Sequence, residues 1–115
     1  MTVAFENVCH YCMAMHSAML ADEGVRAALR EGAPLADARL EAIRTFARDL
    51  VRTAGRPSEG SLARLAASGI DQAGALDIVL GVGVYQLSTM TNVLTGAPVD
   101  PAFEAFRWEK PAAAG

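Results

Sequence analysis

Aromatic residues are scarce in this chain: four Phe, two Tyr and one Trp in 115 residues. A core must therefore be assembled from Ala, Leu, Val, Ile and Met, a mix that favours close-packed helices over sheets. An excess of positive charge is also lacking. Ten Lys and Arg stand against 13 Asp and Glu, for a net charge of −3. Nothing electrostatic therefore recommends nucleic acid or a membrane surface as partner. Long uninterrupted apolar runs are missing too. The richest stretch, 73–84, is broken by Gly74, Asp77, Gly81 and Gly83, so no membrane span is expected. Met1-Thr2-Val3-Ala4-Phe5-Glu6 has no basic region and no long apolar one, so the expected location is cytoplasmic. Only two cysteines occur, and they lie three apart. That spacing excludes a disulfide stapling a long loop and points to redox cycling or metal binding.

Strand-like alternation, internal repeats and linkers are absent as well. The expectation is a single all-α domain over 1–115, with 100–115 as an extended C-terminal tail. Asn7 is a plausible cap for a first helix running to about Asp22, with Gly24 supplying a left-handed turn at its end. Val25 to Arg30 reads as a brief helix closed by Glu31-Gly32-Ala33-Pro34. Pro34 and Asp37 open a stronger one, with Leu40, Ile43, Phe46, Ala47, Leu50 and Val51 on its apolar face. Glu41, Arg44, Arg48 and Arg52 fall on the expected wet side. Ser58 caps a short helix, and Asp71 caps the longest, to about Leu94. That last helix is apolar nearly all round, which predicts burial. Gly81 and Gly83 within it predict close approach of a neighbouring helix. Tyr85 reads as a core tyrosine, and Asn92 as a hydrogen-bonding group at the helix end.

The densest chemistry lies in Cys9-His10-Tyr11-Cys12-Met13-Ala14-Met15-His16. On a helix, spacings of three and four place Cys9, Cys12 and His16 on one stripe. A thiolate near a helix N-terminus is stabilised by free amides and the dipole. With Asn7 as cap, Cys9 gains most from that effect. His16, one turn beyond Cys12, is placed to act as its base or proton relay. Two cysteines at this spacing can close a disulfide with little backbone movement. The cycle that follows is thiolate attack on a hydroperoxide, a sulfenic acid, condensation with the partner thiol, and reopening by a reductant.

Two other readings compete. Buried cysteines can be small hydrophobes with no chemistry. Zinc wants about four ligands, whereas Cys9, Cys12 and His16 supply three and His10 lies about 100° away from Cys9. Neither a metal nor a cofactor is therefore expected. Met13, Met15 and Met19 read as packing residues. His10, inside the CxxC, is a candidate supporting residue.

The stretch Val8-Cys9-His10-Tyr11-Cys12-Met13-Ala14-Met15-His16-Ser17 resembles the signature of the alkylhydroperoxidase D-like, or carboxymuconolactone decarboxylase, family. The similarity extends over nearly the whole chain, through Glu31-Gly32-Ala33-Pro34-Leu35, the Ile70-Asp71-Gln72 helix start, and Pro98-Val99-Asp100 to Trp108-Glu109-Lys110. It implies a compact helical bundle with the CxxC at the start of a helix, and a homo-oligomer, trimeric or hexameric. It implies peroxidase chemistry on small or alkyl hydroperoxides, with Cys12 peroxidatic, Cys9 resolving and His16 in the proton relay. A thiol or lipoyl-type compound would be the reductant. The family pattern also places a glutamate about eleven residues, or three helical turns, before the first cysteine, a position preceding Met1. Most of that N-terminal helix is thus expected to be missing. Either the start lies further upstream, or Glu6 or an acid from another subunit substitutes. A non-catalytic oligomeric module and a lactone decarboxylase are the alternatives, though the latter leaves the CxxC unexplained.

Overall fold

The computed structural model describes residues 1–112. Among them the chain is all-helical. Six α-helices follow one another: α1 Thr2–Glu6, α2 His10–Met19, α3 Glu23–Glu31, α4 Ala38–Thr53, α5 Glu59–Ala67 and α6 Gln72–Thr95. A 3₁₀ helix, Pro101–Phe106, closes the order.

Local chemistry explains most boundaries. Asp22, Asp37, Ser58 and Asp71 each accept a backbone N–H three residues on, at 2.9, 2.8, 3.2 and 2.9 Å. These bonds satisfy amides that a helix start leaves open. α3 ends at Gly32 with φ +70°. A Cβ there would stand 2.6 Å from the Phe5 ring, so both the backbone and the neighbour require glycine. α4 ends instead on Ala54 in the left-handed region, φ 51°.

The amino-terminal third departs from expectation. Residues 2–6 form a helix of their own whose Val3, Ala4 and Phe5 are buried. Asn7 does not open a helix but is the C-cap of α1; its side-chain amide donates to Gln86 Oε1 and Thr89 Oγ1, both at 2.8 Å. Cys9 is the N-cap of α2. α2 stops at Met19, and Gly24 lies inside α3.

Two apolar clusters hold the fold. Ala4, Phe5, Cys9, Cys12, Met13 and Trp108 form one. Phe46, Leu50, Leu65 and Ile70 form the other, with Ile78 and Val82 of α6 against it. α4 packs on α1, α5 and α6, while α2 packs on the 3₁₀ helix, α1 and α6. The expected wet side of α4 is partly dry: Arg44 is buried and held by Glu41 at 2.7 and 2.8 Å. The expected extended tail is strapped down instead. Arg30 donates to the carbonyls of Phe106 and Arg107, and Trp108 Nε1 donates to the carbonyl of Arg30. The expected tail over 100–115 is thus held in place as far as Trp108, and residues 113–115 lie outside the described residues.

α6 overturns the expectation of a buried helix. Thr89 alone is fully buried along it. Leu76, Leu80, Leu87 and Leu94 are 62–87% exposed. Among the described residues, no atom outside the helix's own nearby backbone comes within 4 Å of a Cβ built on Gly81 or Gly83, so no other described element supplies the close neighbour expected there. Tyr85 is 46% exposed rather than in the core. By length and composition alone α6 is also apolar enough to cross a bilayer.

Candidate functional site

The chain reaches α2 through a tight turn. Val8, a β-branched residue, takes φ +53°, a region such side chains avoid. The turn lets the Cys9 amide donate to the Ala4 carbonyl at 2.9 Å. Cys9 then sits at the cap position with its sulfur toward the open amides of α2. Cys12 N–H donates to Cys9 Sγ at 3.3 Å. A disulfide joins Cys9 to Cys12, with Cα atoms 5.3 Å apart, within the usual span of about 4.4–6.8 Å.

This register changes the expected balance between the two thiols. Cys9 is the cap itself, and Cys12 is in the first turn rather than one turn further in. Both sulfurs therefore lie where helix amides stabilise negative charge. Cys12 has a further donor. Asn92 Nδ2 reaches Cys12 Sγ at 3.3 Å from across the fold. Asn92 was expected to serve its own helix end; it serves the sulfur instead. The signal was an amide in an apolar helix, where a polar group must find a partner. Its identity was not visible, because the partner lies 80 residues away.

His16 stands one turn beyond Cys12 on the same helix. Its ring meets Tyr85 edge-on, with centroids 5.3 Å apart. Burial lowers its pKa, and the positive amino terminus adds to the effect. Both effects favour the neutral imidazole, the form that can accept a proton. Among the described residues, no hydrogen bond joins His16 to either sulfur.

The two halves of the predicted stripe open on different spaces. His16 lines an apolar cavity of about 430 Å³ with Leu20, Leu29, Leu35, Ile43 and Arg44. Cys9 lines a smaller one of about 250 Å³ with His10, Tyr11, Asn92 and Val93. Both cysteines are only 1% exposed.

The two supporting candidates are engaged elsewhere. His10 Nδ1 lies 2.8 Å from the Trp108 carbonyl. A carbonyl only accepts, so this nitrogen carries the proton, and His10 anchors the tail. Glu6 pairs with Arg52 at 2.7 and 3.2 Å, its side chain 7% exposed. Tyr11 donates to Asp100 at 2.8 Å; that bond, with lesser help from burial and the carboxylate's charge, raises its pKa. Among the described residues no group of three or more His, Cys, Asp or Glu is arranged to hold a metal ion. No family model matches the chain, and no curated protein matches it.

Proposed function

We propose that this chain is a thiol-dependent peroxidase of the alkylhydroperoxidase D-like kind, cycling between a Cys9/Cys12 dithiol and disulfide. One observation carries the reading: Cys12 Sγ sits in the first turn of α2, receives the Asn92 amide, and is joined to the capping Cys9. Those donors favour thiolate over thiol when the pair is reduced.

In the proposed cycle the Cys12 thiolate attacks the distal oxygen of a hydroperoxide ROOH. The O–O bond breaks, and the sulfur is oxidised to a sulfenic acid. The departing alkoxide takes a proton relayed through His16 and leaves as ROH. Cys9 then attacks the sulfenic sulfur, and water departs as the disulfide closes. A dithiol reductant reopens the pair by exchange and is itself oxidised. The reaction is proposed to run in the cytoplasm, in a homo-oligomer.

Mass spectrometry tests this directly. One equivalent of alkyl hydroperoxide added to the reduced protein should remove two hydrogens, located between Cys9 and Cys12. Cys12→Ser should abolish turnover, and Cys9→Ser should accumulate sulfenic acid. Two unmodified thiols after peroxide would end the reading.

A non-catalytic module has its own support: both cysteines are 1% exposed and Glu6 is held by Arg52. The rate of iodoacetamide alkylation against pH separates the two. Thiols that titrate near the free value of about 8.5 favour the module, and a clearly lower value favours the enzyme.

A further inference from the structure

α6 has two faces of different character. Ile78, Val82, Gln86, Thr89 and Asn92 recur at three- and four-residue steps and turn inward. Leu80 and Leu87 lie about 140–160° around the helix from Val82. They belong to a second series: Leu76, Leu80, Gly83, Leu87, Met90 and Leu94. Its steps are four, three, four, three, four. That is the 3.5-residue repeat of a coiled-coil seam. Its five side chains are 62, 68, 73, 59 and 87% exposed in chain order.

We propose that this seam is a two-fold interface between two copies of this chain, with the α6 helices packed antiparallel. The occupant is argued from the seam itself. Antiparallel pairing about the middle of the series sets Leu76 opposite Leu94 of the second copy, Leu80 opposite Met90, and Gly83 opposite Leu87. Each leucine at 87 then enters the space left open beside a glycine at 83, where, among the described residues, no atom outside the helix's own nearby backbone lies within 4 Å of a Cβ position. A parallel pair would set the two glycines opposite each other and leave a void.

Charge agrees with this. Asp77 is the one charged residue in α6. Parallel packing would bring the two carboxylates side by side. The antiparallel register separates them by about 24 Å along the axis, well beyond a Debye length of about 8 Å. Area agrees as well. A 24-residue helix is about 36 Å long and about 10 Å across, so half its surface is about 570 Å². Two such faces approach the roughly 1,200 Å² at which specific interfaces begin.

A bilayer is the competing occupant, since α6 passes a span test on composition. The inward face argues against it. Gln86 and Thr89 are tied to Asn7, and Asn92 to Cys12. Lipid around the helix would break all of these contacts. The interface rests on the bare seam alone, so its failure would leave the proposed thiol chemistry standing, and only a monomer would also remove the homo-oligomer from that proposal.

The test is the solution mass of the full oxidised chain, followed by cross-linking. An even-numbered assembly is expected. Leu87→Glu should raise its dissociation constant at least about 30-fold, the mark of an interface hot spot, with helical circular dichroism unchanged. Leu76→Cys and Leu94→Cys proteins, when mixed, should form the mixed 76–94 disulfide, while Leu94→Cys alone should not cross-link to itself. A monomer at micromolar concentration, an odd-numbered assembly, self-cross-linking of Leu94→Cys, or co-sedimentation of the wild type with phosphatidylcholine vesicles would each overturn the proposal.

Discussion

α4 and α6 are the two longest helices, of 16 and 24 residues, and they meet opposite fates. α4 buries Ala42, Phe46, Ala47 and Leu50 on the face its periodicity marks. α6 carries more apolar residues and buries almost none. Two-sided hydrophobicity states that a helix needs two partners; it does not state that both belong to the same chain. α4 finds α1, α5 and α6 around it. α6 meets α1, α4 and α2 along one narrow stripe, apolar in its first half (Ala75, Ile78, Val82) and polar in its second (Gln86, Thr89, Asn92).

The sharpest way to break this contrast is truncation on each helix. Phe46→Ala should cost about 3–5 kcal/mol, through lost burial and the cavity left behind. Leu80→Ala, in the monomer at high dilution, should change stability by less than about 0.5 kcal/mol. Urea unfolding measures both. Equal costs at high dilution would mean that α6 is covered within one chain.

The polar stripe gives the next effect. Asn7→Ala removes the donor that Gln86 and Thr89 share and should cost about 1–3 kcal/mol by leaving buried acceptors unpaired. Thermal melts with Asn7→Ala should show the loss, whereas Thr91→Ala on the bare side should not.

A smaller effect has the opposite sign. Among the described residues, no atom outside the helix's own nearby backbone lies within 4 Å of a Cβ on Gly81, and its backbone is helical. Gly81→Ala should therefore stabilise the protein by about 1 kcal/mol. An unchanged or lowered urea midpoint would place a close neighbour there.

The smallest effect is confined to acid. On α4, the Arg44 hydrogen bond, the Leu35 N–H, the charge of Arg44 and the Thr45 hydroxyl outweigh burial. Together they hold the Glu41 carboxyl at about 2, below its ordinary 4.5. A depressed carboxylate contributes stability that is present above the unfolded value and lost as pH falls through the folded one. Stability should thus decline between about pH 4.5 and about pH 2, and Glu41→Gln should flatten that decline in urea titrations. α6 has no counterpart, since no such pair stands on it.

Caps and stops were largely legible because they are local. Asp37, Ser58 and Asp71 act on amides three residues away, within reach of their own chain segment. Cys9 was misplaced by one cap. Asn7 looked the better capping residue, and only the contact with Gln86 and Thr89 reveals that its amide is taken. Arg44 was placed in water because charge on a helix usually is, yet Glu41 on the same helix makes its burial tolerable. Of the site, the sequence supplied Cys9, Cys12 and His16 and their common helix. Asn92 and Tyr85, which touch Cys12 and His16, came from α6.

Taken alone, the sequence determined the helical class, most helix boundaries and the pairing distance of the two cysteines. Each depends on groups within about one turn, where spacing dictates geometry. Tertiary structure decided which amide faces Cys12, which acid holds Arg52, and which side of α6 is left bare. Those contacts join residues 46 to 82 positions apart, and no local period encodes them. They follow from how whole helices stack, which is fixed by the sum of many weak contacts across the chain.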